Sequence, residues 1–253
     1  MLRSRLLVTE RAAAPMKTLA ALALVALAVH LPAPALAAGA AGEVTHVSGA
    51  VMAQKPDGQS RILSVKSPVN EGDVVATADN SYARVKFADG TEAVLRPASQ
   101  VKIDRFNFEE QKPQSDGMVL SLLKGGFRSV TGLLGKRNPA NMRVATPSAT
   151  IGIRGTTFGA LYCQNDCGGT AGGGTAPANG LHVDVSDGTI ILQNQGGSQN
   201  FSAGQFGYVP NANAPPVVVP PTPGVQFTPP PSFLAPSGQA GGIGKSGGAA
   251  CTI

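Results

Sequence analysis

Histidine and cysteine, the side chains that most often bind metals or attack substrates, are scarce here. The 253 residues include three His and three Cys. His30 lies in the N-terminal segment, and His46 and His182 stand isolated in sequence. A tetrahedral metal site needs four ligands, so no metal is expected. Tryptophan is absent and aromatics make up 5% of the chain. No aromatic interleaves with the basic stretch "RSVTGLLGKRNPANMR" (128–143), which leaves no base-stacking surface and speaks against nucleic acid. Solvated charge is the plainer reading of that stretch, although exposed Leu133-Leu134 beside its cations would suit an anionic surface.

Catalytic motifs are missing as well. There is no G-x-S-x-G. The glycine-rich run "GGTAGGGTAPANG" has no Lys-Ser/Thr to hold phosphate and no aspartate ladder for calcium. Ser121 and Lys124 match S-x-x-K, but they sit in a strand-like run where i and i+3 face opposite sides. Asp57, Asp89 and Asp187 each precede Gly, where a short carboxylate caps its own turn. The sequence therefore predicts no catalytic, cofactor-binding or metal residue, and a protein that is not an enzyme.

Residues 1–37 have the form of an export signal: Arg3, Arg5, Arg11 and Lys17 precede an apolar run from Thr18 to Leu31, and Ala35-Leu36-Ala37 is a small-x-small cleavage site. Met16-Lys17 is an equally good start. About 14 apolar residues precede Pro32 and Pro34, short of the ~20 that span a bilayer, so cleavage is expected rather than an uncleaved anchor. No stable membrane span is expected afterwards. Without this segment 16 basic residues face 14 acidic ones, so the net charge of +5 falls to +2. The basic pI belongs largely to the signal and carries no argument for nucleic-acid binding.

The rest is strand-like over 43–209. "YARVKFADGTEAVL" alternates apolar and polar side chains around Asp89-Gly90, and "LHVDVSDGTIILQ" does so around Asp187-Gly188, each predicting a hairpin with both turn residues at positive φ. The segments 47–75 and 185–209 share an order of parts: Val-Ser, a turn Gly, a β-branched strand reaching Gln, a second turn and a last strand. The expected fold is all-β, stacked antiparallel hairpins forming a β-roll, solenoid-like or sandwich domain. In an oxidising compartment Cys163 and Cys167 are expected to close a small disulfide. Residues 210–253, rich in Pro and Gly, are expected to form an extended, disordered tail without sheet or helix, "PPVVVPP" and "PSFLAP" being its apolar islands. Cys251 has no partner in sequence and is a candidate for a link between two copies.

"TPSATIGIRGTTFGA" (146–160) sets one Arg between two glycines. With "GDVVAT" (72–77), "SYARVKFADGTEAVLRPAS" (81–99) and "LSLLKGGFRS" (120–129) it resembles the FecR-domain family. Matching positions are Gly72, Asp73, Thr77, Ser81, Ala83, Asp89, Gly90, Thr91, Pro97, Ser99, Gly126, Thr146, Pro147, Ala149, Arg154, Gly155, Thr156 and Phe158. The resemblance implies an all-β extracytoplasmic module. The family's best-known members pass a signal from an outer-membrane transporter to a cytoplasmic sigma factor through a sizeable cytoplasmic segment. At most 15 residues precede Met16 here, so that role is not expected to carry over. What remains is a periplasmic or secreted binding or signalling module for an envelope protein or cell-wall polymer, acting through loops or a free sheet edge. A cell-surface structural protein with the tail as spacer is the alternative, a membrane-anchored regulator the third. Gly152 and Gly155 are expected to bend the backbone or admit a neighbouring strand. Arg154 is expected to pin that bend against carbonyls or a carboxylate, Asp73 or Asp104, so that Arg154→Ala lowers thermal stability.

Overall fold

The computed structural model describes residues 39–167, 176–221, 230 and 233. The leader expected at 1–37 and Cys251 lie outside them. Among the described residues fifteen strands form one hydrogen-bonded network, and the core shared between its parts folds it over itself into two layers. The first layer contains β1 (Gly42–Ser48), β4 (Pro68–Val69), β6 (Tyr82–Phe87), β7 (Glu92–Leu95), β14 (Phe206–Val209) and β15 (Val217–Val219). The second contains β2 (Val51–Gln54), β3 (Ser60–Ile62), β5 (Val74–Thr77), β8 (Gln100–Asn107), β10 (Met142–Ala145) and β13 (Gly197–Ser202). Three long strands belong to both: β9 (Gly117–Val130), β11 (Thr150–Cys163) and β12 (Gly180–Asn194). Strand order is β4-β1-β6-β7-β9-β11-β12-β14-β15 in the first layer. In the second it is β3-β2-β5-β8-β9-β10-β11-β12-β13. The expected alternatives thus resolve to a sandwich. One pair, β9 with β10, is parallel rather than antiparallel.

Alternation decides what lies between the layers. Val85, Phe87, Ala93 and Leu95 of the first layer face Val75, Val101, Ile103 and Leu120 of the second. A single apolar cluster continues through Phe127, Ile151, Ile153, Phe158, Ile190, Leu192 and Phe201.

Each long strand changes layer at a left-handed glycine: Gly125 (φ 67°) in β9, Gly155 (φ 61°) in β11, Gly188 (φ 78°) in β12. Gly49 (φ 76°) turns the chain from β1 into β2 in the same way. Only a residue without Cβ adopts this geometry without strain. Two expectations are corrected here. Asp187-Gly188 is no hairpin turn: β12 runs through it, and both of its halves pair with β11. At Asp89-Gly90 a hairpin does form, but Gly90 alone has positive φ, with its N–H bonded to Phe87 O (2.9 Å) and Phe87 N–H to Thr91 O (2.8 Å).

The internal echo has a structural counterpart. β1, the β2–β3 hairpin and β4 run from the first layer to the second and back. The first half of β12, the hairpin of its second half with β13, and β14 follow the same course at the other end.

The C-terminal segment was expected to hold no sheet from 210 on, yet β15 pairs with β14 through Val217, Val218 and Val219. Three residues between proline pairs are enough for an edge strand, where a missing N–H can face outward. Apart from Pro230 and Phe233, residues beyond 221 lie outside those described. A short helix, α1 (Leu133–Arg137), and a 3-10 turn (Pro139–Asn141) join β9 to β10. Among the described residues no helix is long and apolar enough to cross a membrane.

Candidate interaction site

The motif residues divide into three groups, and all hold the scaffold. In the first, Asp89 is buried and its carboxylate accepts from Thr91 N–H (3.0 Å), Thr91 Oγ1 (2.6 Å) and Leu134 N–H (3.2 Å). Thr91 Oγ1 accepts from Gly132 N–H (2.9 Å), tying the Gly90 turn to the entry of α1. Beside it, Thr156 N–H donates to Thr131 Oγ1 (2.7 Å), and Thr131 N–H to Thr156 O (3.0 Å). Gly188 stands against Gly155 and Thr156, so the crossings of β11 and β12 touch. The second group lies apart: Asp73, after Gly72, accepts from Arg61 Nη2 (2.8 Å) and Asn70 N–H (3.0 Å). Thr77 and Ser99 close a third staple, with Ser99 Oγ donating to Gly126 O (2.9 Å).

Arg154 does not act as expected. It is exposed, and Asp73 and Asp104 are engaged elsewhere, Asp73 by Arg61 and Asp104 by Lys102 (2.9 Å) and Ser121. The bend is made by Gly155 and held by Thr131 and Thr156, with no guanidinium needed. Gly152 serves the other purpose, since a Cβ there would meet Ile191 Cγ2 at 2.6 Å. The pair Leu133-Leu134 is also split: Leu134 is buried in the core and Leu133 alone is exposed. Ser121 bonds Asp104, whereas Lys124 Nζ stands 3.6 Å from Asp166. Cys163 and Cys167 form a disulfide at the end of β11, with Cα atoms 5.3 Å apart. Of the glycine-rich run after it, 168–180, only residues 176–180 are among those described.

Polar chemistry gathers instead on the outer face of the first layer. His46, Arg84, Val94, Arg128, Gly159, Asp184 and Phe206 lie side by side across seven strands. The adjacent row carries Tyr82, Leu161, His182 and Tyr208, and Arg96 follows β7 beside Gly126. Gly159 and Gly126 make a trough at its centre: a Cβ on Gly159 would collide with the Asp184 carboxylate, and one on Gly126 would crowd Arg96 Cδ. Three charges sink into this space. Asp184 is 2% exposed, neither carboxylate oxygen accepts a hydrogen bond among the described residues, and Arg128 Nη1 stands 3.9 Å from Oδ2. Burial pushes the Asp184 carboxyl above the usual carboxylate range, against the pull of Arg128 and Arg96. Burial likewise lowers Arg96, against Tyr82 and Asp184.

His182 stacks on Tyr208 (4.7 Å) and its Nε2 bonds Ala178 O (2.7 Å), yet burial outweighs that bond and holds it below its ordinary pKa. Phe233 reaches the other end of the face, packing on Val94 and Tyr82. Its ring lies 5.6 Å from His46 and 6.0 Å from Tyr82. Such a surface suits recognition through charge-assisted hydrogen bonds and aromatic contact. Sequence reading missed all of it, because alternation marks Arg84, Arg128, His182 and Asp184 as solvent-facing and does not show the glycine trough beneath them. Among the described residues no three His, Cys, Asp or Glu side chains are grouped to hold a metal.

Residues 73–190 match the family model described as FecR protein. Two crystal structures of a candidate anti-sigma factor from Parabacteroides distasonis ATCC 8503 are similar at 16% and 14% identity, with TM-scores of 0.43 and 0.42. Each alignment covers 58% of this chain and 58% of the other, so the chain spans a little over half the length of these structures. A structure described as a cell surface anchoring domain is 32% identical over 26% of this chain and 86% of its own, with a TM-score of 0.25. No curated protein matches. The resemblance read from the sequence is thus met by a FecR family-model match over residues 73–190.

Proposed function

We propose that this protein is an exported FecR-domain module that works by contact, holding an envelope protein or cell-wall polymer outside the cytoplasm without catalysing a reaction. The observation that carries the reading is the outer face of the first layer. It buries arginine, histidine and a carboxylate on the side of the sheet away from the core, where stability alone favours solvated or apolar groups. The family match supports a binding or signalling role. The Cys163–Cys167 disulfide supports an oxidising compartment, and the basic, apolar and small-x-small order of residues 1–37 supports export with cleavage before Ala38.

The test is photo-crosslinking in intact cells. A photoreactive residue replaces Phe206, which borders the trough, or Arg154, which lies away from it. The reading predicts adducts to an envelope component from position 206 and few from 154. Adducts to cytosolic proteins only, or none outside the cytoplasm from position 206, would overturn it.

A further inference from the structure

Phe233 stands 14 residues beyond β15, in a segment whose composition predicts no structure, yet it is 2% exposed. Its N–H bonds Pro230 O (2.8 Å). The ring is received between His46, Tyr82 and Val94, side chains of β1, β6 and β7 that point away from the core. Val94 is 7% exposed although it belongs to an outer face. A tilted aromatic contact on two rings and an aliphatic floor is the arrangement by which a buried aromatic anchors a peptide.

The chain has the reach to deliver this ring. From β15 to β6 there are six strand-to-strand steps in the first layer, about 29 Å at ~4.8 Å each. Eleven residues lead from Val219 to Pro230. At about 3.1 Å per residue a proline-rich extended chain spans about 34 Å, enough to cross the sheet.

We propose that the outer face around His46, Tyr82 and Val94 is a docking groove for a proline-flanked phenylalanine, and that the chain's own Phe233 fills it in cis as a built-in ligand. The groove adjoins the Arg96–Arg128–Asp184 trough, Val94 lying beside Arg128 in the same row. The docking does not rest on the contact function proposed above, and its failure would leave the crosslinking result untouched.

The test uses the full, oxidised chain and chymotrypsin, which cuts after Phe233. Cleavage there is expected to be at least about tenfold slower in the wild type than in Tyr82→Ala, at an unchanged melting temperature. A synthetic peptide of residues 226–238 is expected to bind the full-length Phe233→Ala chain and to bind the wild type at least about tenfold more weakly. The same peptide carrying Phe233→Ala should bind neither. Equal cleavage rates, or a peptide that binds both chains alike or neither, would overturn the proposal. Protection of Phe233 that falls on dilution as a dimer dissociates would place the segment on a second copy and contradict docking in cis.

Discussion

At the residue scale, Arg154 and Asp184 exchange the importance their sequence contexts give them. Arg154 lies in the most motif-like stretch but is exposed at a crossing that Gly155, Thr131 and Thr156 already hold. Arg154→Ala should therefore change unfolding free energy by no more than about 0.5 kcal/mol, measured by denaturant melts. A loss several times larger would restore the pinning role. Asp184 carries a folded-state pKa raised above its unfolded value, so folding favours its neutral form. The stability this contributes is fully present below the unfolded value near 3.8 and is lost as pH rises through the folded pKa. Asp184→Asn cannot ionise, so the difference in melting temperature, variant minus wild type, should grow more positive from pH 3.5 to pH 7. A constant or shrinking difference would contradict this. Neither position was legible in the sequence for its role. "LHVDVSDG" marks His182 and Asp184 as the wet side of a strand, and only Gly159, 25 residues away, makes room to bury the carboxylate.

At the scale of elements, the left-handed glycines matter more than the hairpins around them. Gly188 shows this best: its φ is 78°, and a Cβ would lie 2.5 Å from Gly155 O. Gly188→Ala should cost about 2 kcal/mol or more, read from chemical denaturation, because backbone strain and a backbone clash add. An unchanged midpoint would show that the crossing is not fixed there. The disulfide closes a small loop, and the chain-entropy relation gives about 2 kcal/mol for it. Reduction by thiol should lower the melting temperature by several degrees with the sheet signal otherwise retained. Period-two alternation and Gly/Pro punctuation made the strands legible. The layer crossings were not, because the parity of the core-facing residues shifts at each glycine, in β12 from 181, 183 and 185 to 190 and 192, as if two strands met there, and Asp-Gly serves a hairpin at 89–90 and a bent continuous strand at 187–188. Only the partner strands distinguish the two cases.

At the scale of the whole molecule, two like-built ends, β1 to β4 and β12 to β14, close a sandwich whose middle is woven by β9, β11 and β12. The FecR match runs from just before β5 into β12 and leaves out β1 to β4 at one end and β13 to β15 with the C-terminal segment at the other. All-β architecture was legible from composition and pattern; the return of Phe233 to the sheet was not, since proline-rich sequence carries no periodic signal to place it. The most direct test of an exported scaffold that works by contact is intact-mass and N-terminal analysis of the protein recovered from cell fractions. The account predicts a chain beginning near Ala38, outside the cytoplasm, with Cys163 and Cys167 oxidised to each other. A cytoplasmic chain that still carries residues 1–37, with both thiols reduced, would contradict it.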